Sequence, residues 1–500
     1  MKLSVYIGMA ALFSITSCGK DFLQTSATDK YNEGNWWQTQ NQAISMINGC
    51  YTVVRDEQLY GIVFSGAFGE ENISPNSYSF GLDSPLEVGG HNAGNANRFY
   101  LKWNANYKGI GRTNYLLDNI DKIPQMDASL KERIKGEACF LRALFYANLV
   151  NYFGGVPLIL EAPNLEKQAS LPRNSRQEVI TQILDDLDKA SAVLPPSYSG
   201  SDIGRATKGA SLALKTRVLL YESRWSEAAA TAKEVMDLNQ YSLFPDYRSL
   251  FLPENENNPE VIFDVQSKTP EYPNYSDLLL ELQINLAPTL DLVNSYLMKD
   301  GLPIQDSPLY DPEHPYENRD PRLHKTIVVP GYMFRGAVVS ETKYFSTGFG
   351  FKKYTSYKDS VARENITYSE INYIMLRYAD VLLMYAEAKN EAAGGDETVY
   401  NALNQIRRRA GMPDFNETLS KEELREAIRH ERRIELAGEA LYYHDIRRWR
   451  TAEIVMNGPV LNSKGQVVQI RAFNANRDYL WPIHSITIQD NPALEQNPGY

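Results

Sequence analysis

Helical periodicity is the sequence feature that most constrains the fold of this 500-residue chain. In the segment 130–152, apolar residues recur every three or four positions: Ile134, Ala138, Leu141, Phe145 and Leu149. This spacing places them on one face of an amphipathic helix that packs on one side. Gly154 and Gly155 are predicted to end that helix.

Two further segments have the pattern of helix, tight turn and helix. Residues 207–238 break near 223–225, and residues 373–410 break at the glycine pair 394–395. Helical pairs of about 34 to 38 residues, rich in Ala and Tyr, are typical of diverged tetratricopeptide-type repeats. A further helix is predicted from Ser420 to about Ala440. Its charged face is predicted to be either solvated or part of a salt-bridge network between helices.

The chain therefore predicts a mainly α fold, in which tetratricopeptide-like helical pairs carry long irregular loops and a few short strands. The helical scaffold is predicted at approximately 36–60, 104–250 and 370–450, and the loop-rich ligand face at approximately 68–103 and 252–368. Strand-like runs occur at 261–263 and 326–329. Loops of this length are usually functional or disordered, and their aromatic content favours ordered, functional loops.

The first residues predict a targeting segment. Lys2 precedes the uncharged run 3–15, which is too short to span a membrane but suits a signal peptide. The Ile-Thr-Ser-Cys sequence at 15–18 resembles a bacterial lipoprotein processing site. Residues 1–17 are therefore predicted to be a lipoprotein signal peptide, with the thiol of Cys18 lipidated as a membrane anchor. The alternative is ordinary secretion, in which Cys18 carries no lipid. Residues 18–500 are predicted to form a single domain.

Charge and cysteine content argue against several partners and cofactors. The net charge is −11 and the sequence pI is about 5.3, so no nucleic-acid partner is expected. The densest basic run, 407–409, lies in a helix-like segment without interleaved aromatic residues. Cys50 and Cys139 lack metal-binding spacing and are predicted to be buried free thiols, although a pairing between them stays open. We expect no metal and no other cofactor.

Nine segments, in order along the chain, resemble SusD/RagB-type outer-membrane nutrient-binding lipoproteins. They are 17–23, 135–143, 153–158, 205–210, 376–388, 431–437, 445–449, 480–483 and 496–500. The resemblance implies a lipid-anchored protein exposed on the outer membrane, where it sits as a hinged lid on a SusC-like TonB-dependent barrel. It also implies that the ligand is a glycan or oligosaccharide, since known members bind glycans and a minority capture peptides. The family is not enzymatic.

Enzymatic alternatives find little support in the sequence. His430 and Glu431 begin a zinc-protease motif, but Ile434 stands where the second histidine is required. A helical glycoside hydrolase would need two carboxylates about 5 to 10 Å apart, and Glu70, Glu71 and Asp83 are the loop residues that could supply them. Solvated or hydroxyl-binding roles are favoured for all three, so we expect no catalysis.

A carbohydrate-binding face needs aromatic rings that cover sugar C–H faces, together with polar side chains that bind the hydroxyls. Three long loops supply both kinds of residue: the first loop at 72–106, the second at 252–286 and the third at 299–368. One or two rings from each loop are predicted to converge on the ligand. Each ring could instead pack beneath its own loop. Oligopeptide binding and a pure scaffold role remain alternatives. The predicted ligand-binding residues are Asn76, Tyr78, Phe80, His91, Asn92, Tyr272, Asn274, Tyr275, Tyr332, Phe334, Arg335 and Tyr344.

Overall fold

The computed structural model describes residues 36–61, 66, 68–79, 85–282, 286–416 and 418–500. The predicted signal peptide, the lipidation site Cys18, the predicted ligand residue Phe80 and the nominated carboxylate Asp83 lie outside these residues. Among the helices that are described, none has the combination of length and apolar character that a membrane crossing requires.

Helices are the main regular structure of the described chain, and the long ones pack largely in sequence order. In chain order they are α1 Gln40–Val54, α2 Phe68–Asn72, α3 Asn97–Asn119, α4 Ala128–Phe153, α5 Leu165–Gln168, α6 Arg176–Val193, α7 Lys208–Tyr221, α8 Trp225–Asp237, α9 Ser276–Leu282, α10 Leu290–Ser295, α11 Arg322–Thr326, α12 Tyr378–Ala393, α13 Glu397–Ala410, α14 Lys421–Glu435, α15 Tyr442–Arg448, α16 Ala452–Val455 and α17 Ser485–Asp490. Helix α4 packs against α3 and α6, α6 against α7, α7 against α8, and α8 against α12, which also contacts α13 and α14. The predicted mainly α architecture is confirmed.

Short strands connect the loops to this scaffold. They are β1 Ser77–Tyr78, β2 Val261–Val265, β3 Ala287–Pro288, β4 Ile327–Val328, β5 Met333–Phe334, β6 Ala337–Val338, β7 Gly350–Phe351, β8 Tyr373–Arg377, β9 Gly458–Leu461 and β10 Val467–Arg471. They form the antiparallel pairs β1–β3, β2–β8, β4–β7, β5–β6 and β9–β10. In the β2–β8 pair, Val265 lies opposite Tyr373, so the second loop is hydrogen-bonded to the segment that leads into α12.

One helix boundary differs from the sequence prediction. Residues 373–377 were expected to belong to a helical pair, but they form strand β8, and α12 begins at Tyr378. All five residues of β8 are buried. A short, continuous apolar run has no periodicity that separates a buried strand from a buried helix, and pairing with β2 decides the outcome here.

The other helix limits follow local chemistry. The carboxylate of Asp127 accepts a hydrogen bond from the amide of Leu130 and caps the start of α4. The same helix ends at Gly154, which has a φ of 76°. A residue with a side chain would be strained in this conformation, so glycine is favoured at this position. Ser420 and Glu423 form the predicted capping box of α14. The predicted break between 207 and 238 is the turn between α7 and α8.

The charged face of α14 forms a buried salt-bridge network, which was one of the two predicted alternatives. Glu435 is fully buried and accepts hydrogen bonds from the guanidinium of Arg377, which is also buried, at 2.7 Å. Arg377 also binds Glu260 at 2.7 Å and Glu439 at 2.7 and 2.8 Å. Because these carboxylates come from different segments, the network holds α14, β8 and the second loop together.

Apolar packing surrounds this network. The main cluster of buried apolar side chains contains residues from Trp37 to Leu494, so it draws on nearly the whole described sequence. Cys50 and Cys139 are both buried and free, as predicted. Burial raises the pKa of each thiol to about 12. Both cysteines therefore act as small apolar residues of the core.

Candidate functional site

Two predicted ligand residues of the first loop are part of the core. Asn76 is fully buried, its amide nitrogen donates to Oε1 of Glu71 at 2.9 Å, and its amide oxygen accepts from Nε of Arg433 at 2.9 Å. Tyr78 is only 7% exposed and lies opposite Ala287 in the β1–β3 pair. These packing roles correct the prediction that Asn76 and Tyr78 contact the ligand.

The other two described candidates of that loop, His91 and Asn92, have local structural roles. His91 is 3% exposed, with Nε2 2.7 Å from the Tyr500 hydroxyl and 3.3 Å from the carboxylate of Asp478. It links the loop to the end of the chain and is closed to a ligand, which corrects its prediction. Asn92 is exposed, but its amide oxygen accepts from the backbone N–H of Gly94 at 2.8 Å within a turn.

Three predicted ligand residues of the second and third loops are also buried. Asn274 is buried, and its amide donates to the Ser267 hydroxyl at 2.9 Å and to the carbonyl oxygen of Ile371 at 2.6 Å. Phe334 and Tyr344 are 2% and 3% exposed and pack in a small apolar cluster beneath the β5–β6 hairpin. The ring of each was predicted to face the ligand, and each instead packs beneath its own loop.

Arg335 is half-buried, and its charge is used within the protein. Its guanidinium forms a 2.6 Å ion pair with Glu281 and donates to the amide oxygen of Asn365 at 2.9 Å. The same group lies 4.3 Å from the ring centroid of Tyr357. The predicted ligand contact of Arg335 is therefore replaced by contacts that order the third loop.

Tyr272 and Tyr275 remain accessible and line a surface groove. Tyr272 is 55% exposed, and the guanidinium carbon of Arg55 lies 4.2 Å from its ring centroid. Two hollows of about 390 and 120 Å³ meet here, and both are lined by Arg55 and Val265. We call the joined hollows the tyrosine groove, which is lined by Tyr51, Arg55, Tyr60, Val265, Tyr272 and Tyr275.

A third exposed ring extends this surface. Tyr368, which is 56% exposed, has its ring centroid 5.6 Å from that of Tyr275. The pair is positioned by backbone hydrogen bonds between Asn274 and Ser369 at 2.9 and 3.0 Å. The carboxylate of Asp277 accepts from the Ser369 hydroxyl at 2.8 Å and reinforces this junction. A ring from the second loop and one from the third therefore lie side by side here, and the ring from the third loop belongs to Tyr368, which was not among the predicted ligand residues.

The floor of the tyrosine groove is attached to the helical scaffold. The ring of Tyr60 stacks on that of Tyr373 with centroids 6.3 Å apart. The Tyr60 hydroxyl donates to the amide oxygen of Asn148, on α4, at 2.7 Å. Sequence reasoning missed Tyr60 and Arg55 because both lie inside the predicted scaffold segment 36–60, Arg55 directly after α1 and Tyr60 in the turn that follows. Tyr368 is the last residue of the predicted third loop, so its ring could have been included among the predicted ligand residues.

Tyr332 lies at a different place. It lines a cleft of about 640 Å³ together with Tyr316, Glu317 and Glu341, and this cleft shares no lining residue with the tyrosine groove. The Tyr332 ring stacks on His324 with centroids 4.2 Å apart. The expectation that the third loop sends Tyr332 to the same site as Tyr272 is therefore wrong.

The carboxylates nominated for glycoside hydrolysis are engaged in structural contacts. Glu70 is buried, ion-paired with Lys102 and 2.9 Å from Nε2 of His444. Burial opposes its ionisation, but the Lys102 and His444 contacts outweigh burial and hold the pKa of Glu70 well below its ordinary value. Glu71 accepts from the backbone amides of Gly438 and Ala440. A general acid needs a raised pKa at an open cleft, so Glu70 does not fit that role.

Comparisons with known proteins decide the family. Residues 281–500 match the model described as the SusD family, and residues 21–220 match the model described as "Starch-binding associating with outer membrane". A solved SusD-like protein from Bacteroides fragilis is 30% identical, covers 94% of this chain and 99% of its own, and superposes with a TM-score of 0.81. The chain belongs to the SusD family.

Other relatives agree with this assignment. A solved SusD-like carbohydrate-binding protein from Bacteroides fragilis is 28% identical to this SusD-family chain, covers 92% of it and 100% of its own, and has a TM-score of 0.83. A SusD-like protein of Formosa agariphila is 26% identical over 99% of this chain and 98% of its own. The family predicted from the nine sequence segments is confirmed.

Proposed function

We propose that this SusD-family protein captures glycans in the tyrosine groove and passes them on without chemical change. The observation that carries the proposal is the group of accessible rings at a hollow surface, formed by the exposed Tyr272 and Tyr368 and the partly buried Tyr275. The apolar face of each ring can cover the C–H face of a sugar, while nearby polar groups such as Arg55 and Glu57 bind its hydroxyls.

The relatives support a glycan as the ligand class. One solved relative is described as a SusD-like carbohydrate-binding protein. Another is described as a laminarin-binding SusD-like protein; it is 25% identical, covers 93% of this chain and 100% of its own, and has a TM-score of 0.74. These descriptions apply to those proteins, and together with the exposed tyrosines they favour an oligosaccharide over the oligopeptide alternative for this chain.

We also propose that lipidation at Cys18 anchors the protein at the cell surface, where it acts as the lid of a SusC-like TonB-dependent barrel. The lipoprotein-like sequence at 15–18 and the outer-membrane association in the family description support this placement. A protein that must release its ligand to a transporter needs only moderate affinity, with Kd on the order of µM to mM. Exposed stacking surfaces fit that range.

Ring removal tests the proposed site. Tyr272→Ala and Tyr368→Ala should each weaken glycan binding by about two- to tenfold, because each loses one exposed stacking surface without opening the core. A glycan array on the domain truncated after Cys18 identifies the ligand, and isothermal titration calorimetry then gives the affinities. Unfolding curves should stay close to that of the unmodified protein.

Two further variants act as controls. Tyr310→Ala removes a partly exposed ring outside the described hollows and should leave affinity unchanged. Tyr332→Ala tests the separate cleft. If this variant weakens glycan binding and the variants of the tyrosine groove do not, the glycan site lies in the cleft and not in the groove. Stronger binding to peptide libraries than to glycans, or new reducing ends on incubation with glycans, would contradict the proposed function.

A further inference from the structure

Arg55 occupies the point where the two hollows of the tyrosine groove meet. It is the residue that ends α1, and it lines both hollows together with Val265. Its guanidinium lies over the exposed ring of Tyr272 at 4.2 Å. A guanidinium stacked on a ring keeps its N–H groups directed outward in its own plane, where a ligand can accept them.

The guanidinium of Arg55 has no protein acceptor among the described residues. None of their carboxylates forms an ion pair with it, and none of their oxygens accepts a hydrogen bond from it. Its neighbour Asp56 is directed elsewhere, towards Lys108 at 3.4 Å and the backbone amide of Gln58 at 3.1 Å. Glu57 lines the same hollow but is exposed and does not pair with Arg55 within 4.0 Å.

Two of the most deeply buried arginines of the core show the opposite arrangement. Arg377 binds three carboxylates, and Arg432 pairs with Asp380 at 2.6 Å and Asp445 at 2.8 Å. Arg55 is partly buried without such compensation from the part of the chain that the structure describes, and desolvation lowers its pKa from the ordinary value. A partly desolvated cation that lacks a counter-ion gains most from an anionic ligand.

We propose that the tyrosine groove selects acidic glycans, with Arg55 binding the carboxylate of a uronic acid while the sugar ring lies on Tyr272 or Tyr275. This inference rests on the proposed glycan-binding function and names its ligand class. The planar guanidinium matches a planar carboxylate through two parallel hydrogen bonds between opposite charges, whereas the hydroxyls of a neutral sugar accept hydrogen bonds without supplying a counter-charge. The tyrosines supply affinity for sugars in general, and Arg55 supplies the preference for charge.

Matched glycans test this preference. Affinity electrophoresis and calorimetry would compare oligogalacturonate with its methyl ester, which removes the charge and keeps the sugar, alongside alginate, glucuronoxylan, laminarin, starch and a sulfated carrageenan. We expect tight binding to at least one uronic-acid glycan and at least tenfold weaker binding to a neutral counterpart. Binding of the acidic glycan should weaken as salt rises from 20 to 500 mM.

Three variants assign the effect to Arg55. Arg55→Gln should reduce affinity for the acidic glycan about tenfold or more, while Arg55→Lys, which keeps the charge but not the planar fork, should recover part of it. Lys268→Gln removes one exposed charge close to Tyr272 and should change affinity less than threefold. Circular dichroism melting curves of all three should match that of the unmodified protein.

The outcomes separate the two proposals. Binding of neutral glycans with an affinity that Arg55→Gln leaves unchanged would overturn the inference and leave the proposed function standing. Preference for the sulfated glycan, or for a glutamate-rich peptide, over every uronic-acid glycan would also overturn it. An absence of binding to every glycan tested would contradict the proposed function and the inference together.

Discussion

Most buried charged side chains in the described core have a partner of opposite charge. Arg322 is 1% exposed and binds Asp320 at 2.7 Å, Glu431 at 2.5 Å and Glu435 at 3.0 Å. Such networks tolerate burial only while every member is satisfied, so Arg322 depends on carboxylates 109 and 113 positions away as well as on its neighbour Asp320. Glu256, which is partly buried, has no such partner, because none of the described cations pairs with it.

Glu256 makes stability depend on pH. Burial, opposed by a 2.8 Å hydrogen bond from the amide of Asn372, raises the pKa of its carboxyl from 4.5 to about 7, and the nearby carboxylates of Asp264 and Glu370 act in the same direction. Between these two pKa values the native state binds more protons than the unfolded state, so the free energy of unfolding falls as pH rises from about 4.5 to above 7. Glu256→Gln should reduce this decrease in the free energy of unfolding with pH.

Urea unfolding at pH 5, 6, 7 and 8 checks this prediction. The nearby variant Glu254→Gln is the control, because the contact of Glu254 with Lys358 lowers its pKa and moves its titration below this window. That variant should keep the pH slope of the unmodified protein. Parallel curves for Glu256→Gln and the unmodified protein would show that Glu256 does not titrate in this range.

At the scale of elements, close approach between helices depends on small residues. Gly109 lies on α3 where this helix crosses α4, and a Cβ added there would come within 2.3 Å of the Phe145 ring. The two helices therefore approach more closely than a side chain at 109 permits. This packing matters for the groove as well, because α4 also carries Asn148, which holds the Tyr60 hydroxyl.

Gly109→Ala should lower the free energy of unfolding by about 1 to 3 kcal/mol, because Phe145 or the helix axis must shift. Gly49→Ala is the matched control, since it adds the same methyl group to helix α1 where no atom lies within 4 Å. It should raise stability by about 0.5 to 1 kcal/mol through better helix propensity. Chemical denaturation of both variants decides the matter, and equal effects would contradict the packing explanation.

At the scale of the whole molecule, the tyrosine groove is assembled from segments far apart in sequence. Arg55 and Tyr60 come from the turn that follows α1, Tyr272 and Tyr275 from the second loop, and Tyr368 from the third. The β2–β8 pair and the backbone bonds between Asn274 and Ser369 bring the two loops together. The tyrosine groove is therefore fixed by the same contacts that attach the loops to the helices.

The anchoring proposal predicts where the protein is found in the cell. Cys18→Ser removes the thiol that would be lipidated, so the protein should leave the outer-membrane fraction and become extractable without detergent. Cys50→Ser is the control, because that thiol is buried in the core and should have no effect on membrane association. Fractionation followed by immunoblotting measures both, and retention of the Cys18→Ser protein in the membrane would contradict lipid anchoring.

Sequence patterns identified the helices better than the ligand residues. The apolar residues from Ile134 to Leu149 lie in one long helix, as their spacing predicted. Ser420 caps the start of α14, as the predicted capping box required. The sequence around a loop tyrosine does not reveal whether its ring faces solvent, as the ring of Tyr272 does, or is buried, as the ring of Tyr344 is. Local chemistry sets helix limits, whereas exposure of a loop ring depends on what other segments pack over it.

By itself, the sequence determined the family, the mainly α architecture and several helix limits, such as the end of α4 at Gly154 and the start of α14 at Ser420, because periodicity, caps and glycines act within a few residues. Only the tertiary structure decided that residues 373–377 form a strand, that Tyr332 lies apart from Tyr272, and that Arg55 meets the loop tyrosines. These outcomes depend on contacts between residues that are distant in the chain, and no local pattern records which segments will meet.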